Sequence, residues 1–472
     1  MNGPDIGRRA VLAGICGGSL GVLTGVAGGA GDTSVPSSAS QQQISRDSHQ
    51  NITEENTVFV DPSGRNDNPG TADSPVGTIQ EALERVEPGE RVYANSGEYQ
   101  EFVVPDQGGT PENPVELTGP PDAVLRRPPD SPAAIAIVVN HFHLTGLLID
   151  GLADPDRPED PDAYGDGPVV HMTAPDLDEY VEGIVIAPHG IGNSGRQLVN
   201  LNFAKNVGVG PFEVTGRAGA KWQLTDEENH NGEIVYVGTG RTTIHQHDNI
   251  TGWDRTQDIH IHHIDNSAGH PHSQLVDVKP GAENVTIEYC TDGGGSQNDL
   301  DRPATSVNLA GYDCTLRWCL IQDGEGNAVN VGREVEDSPD DEIAEQVGTE
   351  NAIYGNEISG FGDGWGLGFS PGSDAGQGPE HQAIICGNNI EGRVAGNPES
   401  DCPEDVPTGE GIGHTGGDPE AIRATISEFE PPNMESPDQS SSADLLLYAA
   451  TALATASMFV PYSVRRFRRR ST

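Results

Sequence analysis

Lysine is scarce in this chain: 472 residues contain it only at Lys205, Lys221 and Lys279, and arginine supplies nearly all the remaining positive charge. Lys279 stands in "SQLVDVKPGAENVTIEYC", two residues after Asp277 and directly before Pro280-Gly281. A lysine works as a base near neutral pH when desolvation or neighbouring positive charge brings its pKa down to about 7–8. Asp277, on the same face of an extended strand, favours the charged ammonium instead. Calcium on Asp277 would remove the conflict, because its charge offsets the carboxylate and depresses the lysine. Three readings are open for Lys279: catalytic base, sugar-binding cation without chemistry, and partner of Asp277 in a same-face ion pair beside a turn.

A second constellation is "HIHHIDNSAGHPH", with His260, His262, His263, His270 and His272, preceded by His245 and His247. If Ile259 and Ile261 point inward, His260 and His262 share the outer face about 7 Å apart, a workable but imprecise spacing for one metal ion. No cysteine or carboxylate with finger-like spacing accompanies them, so hydrogen bonding in a groove competes with metal binding, and His270 and His272 are read as substrate-facing. The glycine runs "DGGGSQND" and "GDGWGLG" follow no strand-to-helix phosphate pattern, and no nucleophile elbow or Ser/His/Asp spacing is present.

The elements that must position these residues repeat. "NVTIEYCTDGGG", "DCTLRWCLIQDG", "NAIYGNEISGFG" and "QAIICGNNIEGR" each show short apolar alternation, a Cys or Asn at a bend, another apolar residue and a glycine-rich turn. Aligned on Ile287, Leu316, Ile353 and Ile385, they recur at spacings of 29, 37 and 32 residues. Strands this short cannot bury a face alone; stacked in parallel, each coil covers its neighbours. The bend residues Cys290, Cys319, Asn356 and Asn388 then form an inward ladder at a corner. A second strand per coil, "QLVDVKPG", "TSVNLAG", "NAVNVG" and "WGLGFSPG", sends Val276, Val278, Val307, Leu309, Val329 and Val331 inward. Asp277 and Ser306 are expected as one outward column and Lys279, Asn308 and Asn330 as the next, a groove about 10 Å long.

These coils resemble the right-handed parallel β-helix of the pectate-lyase-like superfamily. "TVFVDPSGRNDNPGTADSPVGTIQEALERVEPGERVYANSGEY" (57–99) is similar to the opening segment of exported members: a strand, an Asp-Pro-Ser-Gly loop, a helix at about Thr78–Val86, then a strand ending in Gly-x-Tyr. That helix places Ile79, Ala82, Leu83 and Val86 on one face, able to cover the open end of the stack. The resemblance extends to exported β-helix proteins with a Val/Ile-Asp-x-Lys-x-Gly signature and, more distantly, to lyases that cleave alginate or dermatan sulfate. There a strand lysine removes the proton α to a uronate carboxylate, an arginine assists and calcium often neutralises the carboxylate. By position the resemblance implies Lys279 as base; Asp277 and Asn308 are read beside it as catalytic, Asp277 also as a calcium ligand, and Asn330, Ser306 and Arg302 as substrate-binding. Asn308 stands where the lyase pattern shows arginine, and Arg302 lies in a loop without motif support, so no acid is assigned.

The predicted fold class is all-β, a single-stranded right-handed parallel β-helix with an N-terminal capping helix, over residues 57–395 with the cap at 57–107. One C-terminal transmembrane helix follows. A net charge of −47 makes nucleic acid and anionic lipid surfaces poor partners and matches the solvated surface of a haloarchaeal protein. Acidic stretches at 154–166 and 334–346 interrupt the coils and are read as loops, with weak calcium capture as a second role. Residues 1–31, with Arg8-Arg9 before a glycine-rich apolar run, resemble a twin-arginine export signal, and 32–56 reads as a linker. After an acidic Pro/Ser-rich linker at 396–444, Leu445–Val464 is long enough to span a bilayer. The arginines at 465–472 keep its far end in the cytoplasm. Five cysteines besides Cys16 leave at least one free or paired elsewhere. The expectation is therefore an exported, membrane-anchored and monomeric protein that acts on or binds a polysaccharide or cell-envelope glycan. β-Elimination at a uronate is the first chemistry, and a non-enzymatic adhesive or carbohydrate-binding protein is the alternative.

Overall fold

The computed structural model describes residues 54–174, 179–225, 231–240, 253–295, 305–332, 341–370, 378–396, 400–404 and 406. All of them belong to one compact unit, Ser45–Thr472. The export signal, the segment 445–464, the basic tail, His245, His247 and Arg302 lie outside the described residues. Among the described residues no helix is long and apolar enough to cross a membrane.

Among the described residues three parallel sheets of 11, 10 and 9 strands form. From Val115–Thr118 onward each coil adds one strand to each in the same order, as where Gln257–His262 joins the first sheet, Ile264–Asn266 the second and Val276–Val278 the third. The result is a parallel β-helix whose interior is one continuous apolar cluster. Ile287, Leu316, Ile353 and Ile385 are successive register partners in the first sheet, so the spacing read from the sequence is the true coil period.

A single residue in the left-handed region turns the chain from the first sheet to the second: His263, Tyr289, Trp318, Gly355 and Gly387, with φ of 51–67°. At Gly355 a side chain would also strike the Trp318 ring at 2.7 Å, so glycine serves both the turn and the neighbouring coil. The residue after each turn points inward. Cys290, Cys319, Asn356 and Asn388 are all buried. Asn356 Nδ2 donates to the Leu316 carbonyl at 2.9 Å and to Asn388 Oδ1 at 2.9 Å, and Asn356 Oδ1 accepts from the Cys319 amide at 3.0 Å. The inward side chains thus satisfy backbone groups that the turn removes from the ladder.

The helix near the first coil, Ile79–Leu83, is shorter than the Thr78–Val86 expected. Thr78 caps it, and Glu101 accepts from the Ile79 and Gln80 amides at 2.8 and 3.0 Å. Ile79, Ala82, Leu83 and Val86 all join the core cluster. Two stretches read as loop or linker are structured. Asp341–Gln346, in the second acidic stretch, is helical because Ile343 and Val347 give it an apolar side that packs with Trp253 and Ala310. Beyond the last coil, Cys402 forms a disulfide with Cys386 and Val406 is buried against Tyr354, which ties down the start of the expected linker. Cys290, Cys314 and Cys319 remain as buried free thiols.

Candidate functional site on the third sheet

Third-sheet strands repeat an apolar–polar–apolar triplet: Val170–Met172, Val199–Leu201, Val235–Val237, Val276–Val278, then Val307–Leu309 and Val329–Val331 within longer strands. The apolar members are buried in the core. The central residues are register partners in one outward row: His171, Asn200, Tyr236, Asp277, Asn308 and Asn330. This corrects two expected columns. Asn308 and Asn330 align with Asp277, whereas Lys279 lies past the strand end. Ser306 stands in a fully buried row between Leu275 and Ala328, so it is not on the outer face. The parallel register pairs Val276 with Val307 and so sets Ser306 level with Leu275, two residues before Asp277.

Lys279 opens the turn Lys279–Ala282, closed by the Ala282 amide on the Lys279 carbonyl at 3.2 Å, with Gly281 at φ 94°. Pro280 presets the first central position and Gly281 supplies the positive φ of a type II turn. From there the lysine side chain bends back over its own strand. Its ammonium bonds the Asp277 carboxylate and lies 4.4 Å from the centre of the Tyr236 ring. The other Asp277 oxygen accepts from Asn308 Nδ2 at 2.9 Å. Asn330 Nδ2 in turn donates to Asn308 Oδ1 at 3.0 Å and to Ser370 Oγ at 3.0 Å. The pair is enclosed, with Asp277 2 % and Lys279 7 % exposed.

Two further charged groups escaped sequence reasoning. Burial pushes the Glu233 carboxyl up; Lys279 opposes that shift and Asp277 adds to it. Burial lowers the Arg196 guanidinium, with Glu233 and Tyr236 pulling it back up. Glu233 thus lies within electrostatic reach of Lys279 and Asp277, and Arg196 within reach of Glu233 and Tyr236. A ligand that separates Lys279 from Asp277 would have to replace that attraction with its own. Both Asp277 oxygens are engaged, and among the described residues no group of three or more His, Cys, Asp or Glu side chains is arranged to hold a metal ion.

The histidines are elsewhere. His260 Nε2 meets Glu288 Oε1 at 2.9 Å on the first sheet, and Arg317 Nε donates to the other Glu288 oxygen at 2.5 Å. His262, 5 % exposed and lowered to about 3 by burial, meets His263 Nδ1 at 3.0 Å. His270 and His272 lie between the second-sheet and third-sheet strands. His272 is 1 % exposed, with its ring nitrogens 3.0 Å from the His270 carbonyl and 3.2 Å from Asp292 Oδ2. That ring faces the interior, not a ligand, because it fills the corner beside Asn266 and Asp292. The structure thus brings Asp277, Lys279, Asn308 and Asn330 together and sets the histidines apart from them.

No protein-family model matches the chain, and no curated protein does. Several solved structures are similar. An alginate lyase from Paenibacillus sp. str. FPU-7 is 14 % identical, with a TM-score of 0.43 over 67 % of this chain and 96 % of its own. A GH136 lacto-N-biosidase from Eubacterium ramulus is 12 % identical, with a TM-score of 0.44 over 72 % and 61 %. Pectate lyase Pel9A is 12 % identical, with a TM-score of 0.45 over 75 % and 80 %. These are loose likenesses, and the parallel β-helix rests on the strand order and register of the chain itself.

Proposed function

We propose that this β-helix protein recognises a polysaccharide along the outer face of its third sheet, with Lys279 as the cation at the centre of the site. The observation that carries this reading is the single row from His171 to Asn330, six polar side chains on six successive coils, with the Asp277–Lys279 pair inside it. At about 4.8 Å per coil the row is about 24 Å long, enough for several sugar units. Amide, phenol and imidazole groups at that repeat suit a hydroxyl-rich polymer.

Between binding and cleavage, one contact favours recognition without bond breaking. A base must present a free lone pair to the substrate, and the Lys279 nitrogen is instead bonded to the enclosed Asp277 carboxylate. Uronate β-elimination with Lys279 as base remains the enzymatic form of the proposal and requires the substrate to draw Lys279 away from Asp277. Incubation with uronate polymers separates the forms. Unsaturated product absorbing in the ultraviolet, abolished in Lys279→Ala, would establish the lyase. Saturable binding of the polymer without such product supports recognition, and binding unchanged in Lys279→Ala would remove the lysine from the site. We also propose that the protein is exported and anchored by Leu445–Val464. Cleavage of its body by protease added to intact cells tests the exposure, and complete release of the protein by high salt would sink the anchor.

A further inference from the structure

The row on the third sheet differs between its two ends. Toward the C-terminal coils its hydrogen-bonding capacity is used internally: Asn308 serves Asp277, Asn330 serves Asn308, and Ser370 Oγ serves both Asn330 Oδ1 and the Gly332 carbonyl, each at 3.3 Å. A sugar lying over Asn308 and Asn330 would have to break those bonds to make its own. Toward the N-terminal coils part of the capacity is unspent, although His171 bonds the Asn202 side chain and the Tyr236 hydroxyl accepts from the Gly240 amide at 3.1 Å. Asn200 Oδ1 and His171 Nδ1 are buried atoms with no hydrogen-bond partner among the described residues, on side chains that are register partners in adjacent coils. His171 itself is 7 % exposed. An unpartnered buried polar atom is unfavourable, so two on neighbouring strands mark a place where a ligand group gains by entering.

We infer that His171 and Asn200 form a sugar subsite that takes ring hydroxyls, so that the polysaccharide runs from Lys279 toward the N-terminal coils and away from Asn308 and Asn330. The unsatisfied amide oxygen of Asn200 needs a donor, which a hydroxyl offers and a carboxylate does not. Burial lowers His171 to about 4, aided by the nearby Arg196 and opposed by its hydrogen bond with Asn202, so the ring is neutral and its unpartnered Nδ1 is left for a hydroxyl. Tyr236 is the next member of the row before Asp277 and joins this subsite to the lysine.

The subsite rests on the polysaccharide reading above, and titration calorimetry on the full chain tests the two separately. The probes are oligogalacturonate, oligomannuronate and xylo-oligosaccharide, with Asn200→Leu, His171→Phe and Asn330→Ala as variants. Asn200→Leu and His171→Phe are expected to weaken binding by about tenfold or more, and Asn330→Ala by less than about threefold. Without sugar, Asn200→Leu should melt at or above the wild-type temperature, because an orphan acceptor has gone. Wild-type affinity in Asn200→Leu and His171→Phe overturns the subsite alone. A clear drop in the unliganded melting temperature of Asn200→Leu also overturns it, by showing that the amide has a structural partner. If wild type binds none of the three probes, the polysaccharide reading itself falls and the subsite with it.

Discussion

At the scale of single residues, the scarce lysine and its neighbouring aspartate set the charge of the third-sheet face. An enclosed ion pair adds little net stability, but removing one partner leaves the other charge buried and unpaired. Asp277→Asn is therefore expected to destabilise the fold by about 3–5 kcal/mol in denaturant titration, and the double variant Asp277→Asn/Lys279→Met to recover much of that loss. Equal stability of the single and double variants would show that the two side chains are not coupled. His171 and His262 carry a pH dependence whose sign is fixed by burial, which lowers them from 6.5 to about 4 and about 3. A base with a depressed folded-state pKa contributes stability above its unfolded value and loses it as the pH falls through the folded one. Stability should decline from pH 6.5 toward 4, more shallowly in His171→Phe, as read from unfolding curves across that range.

At the scale of elements, the corner between the first and second sheets holds the coils in register. Asn356 serves two carbonyls, the Asn388 side chain and the Cys319 amide, all within the buried ladder. Asn356→Ala leaves several of these unsatisfied and should cost about 2–4 kcal/mol. Hydrogen exchange should then quicken first at Ala352–Tyr354 and Ile384–Cys386, since each coil of a solenoid leans chiefly on its neighbours. Uniform acceleration along the chain would instead mean that the stack opens as one unit. This corner was legible beforehand, because Cys or Asn at a fixed place in each repeat has a local meaning: a side chain that serves the backbone at a bend. The third-sheet triplets were legible in part. VHM, VNL, VYV, VDV, VNL and VNV carry the same alternation, but the triplets at His171 and Asn200 sit in coils of irregular length, where no shared spacing ties them to the later ones.

At the scale of the whole molecule, a net charge of −47 stands against a continuous apolar interior. The screening length shrinks from about 10 Å at 0.1 M salt to about 3 Å at 1 M, so repulsion between surface carboxylates weakens while the core is unaffected. The melting temperature should rise by several degrees across that range, and a flat response in scanning calorimetry would show that the acidic surface does not limit stability. What the sequence alone determined is what depends on neighbouring residues: strand alternation, the coil period, the inward ladder and the type II turn after Lys279. What only the tertiary structure decided is which coil faces which. The register between strands some thirty residues apart is set by packing across the stack, and it put Asn308 beside Asp277 and Ser306 level with the buried Leu275, while the fold brought Glu233 within electrostatic reach of Lys279. A slip of one residue reverses the face that every side chain presents, and no local pattern contains that information.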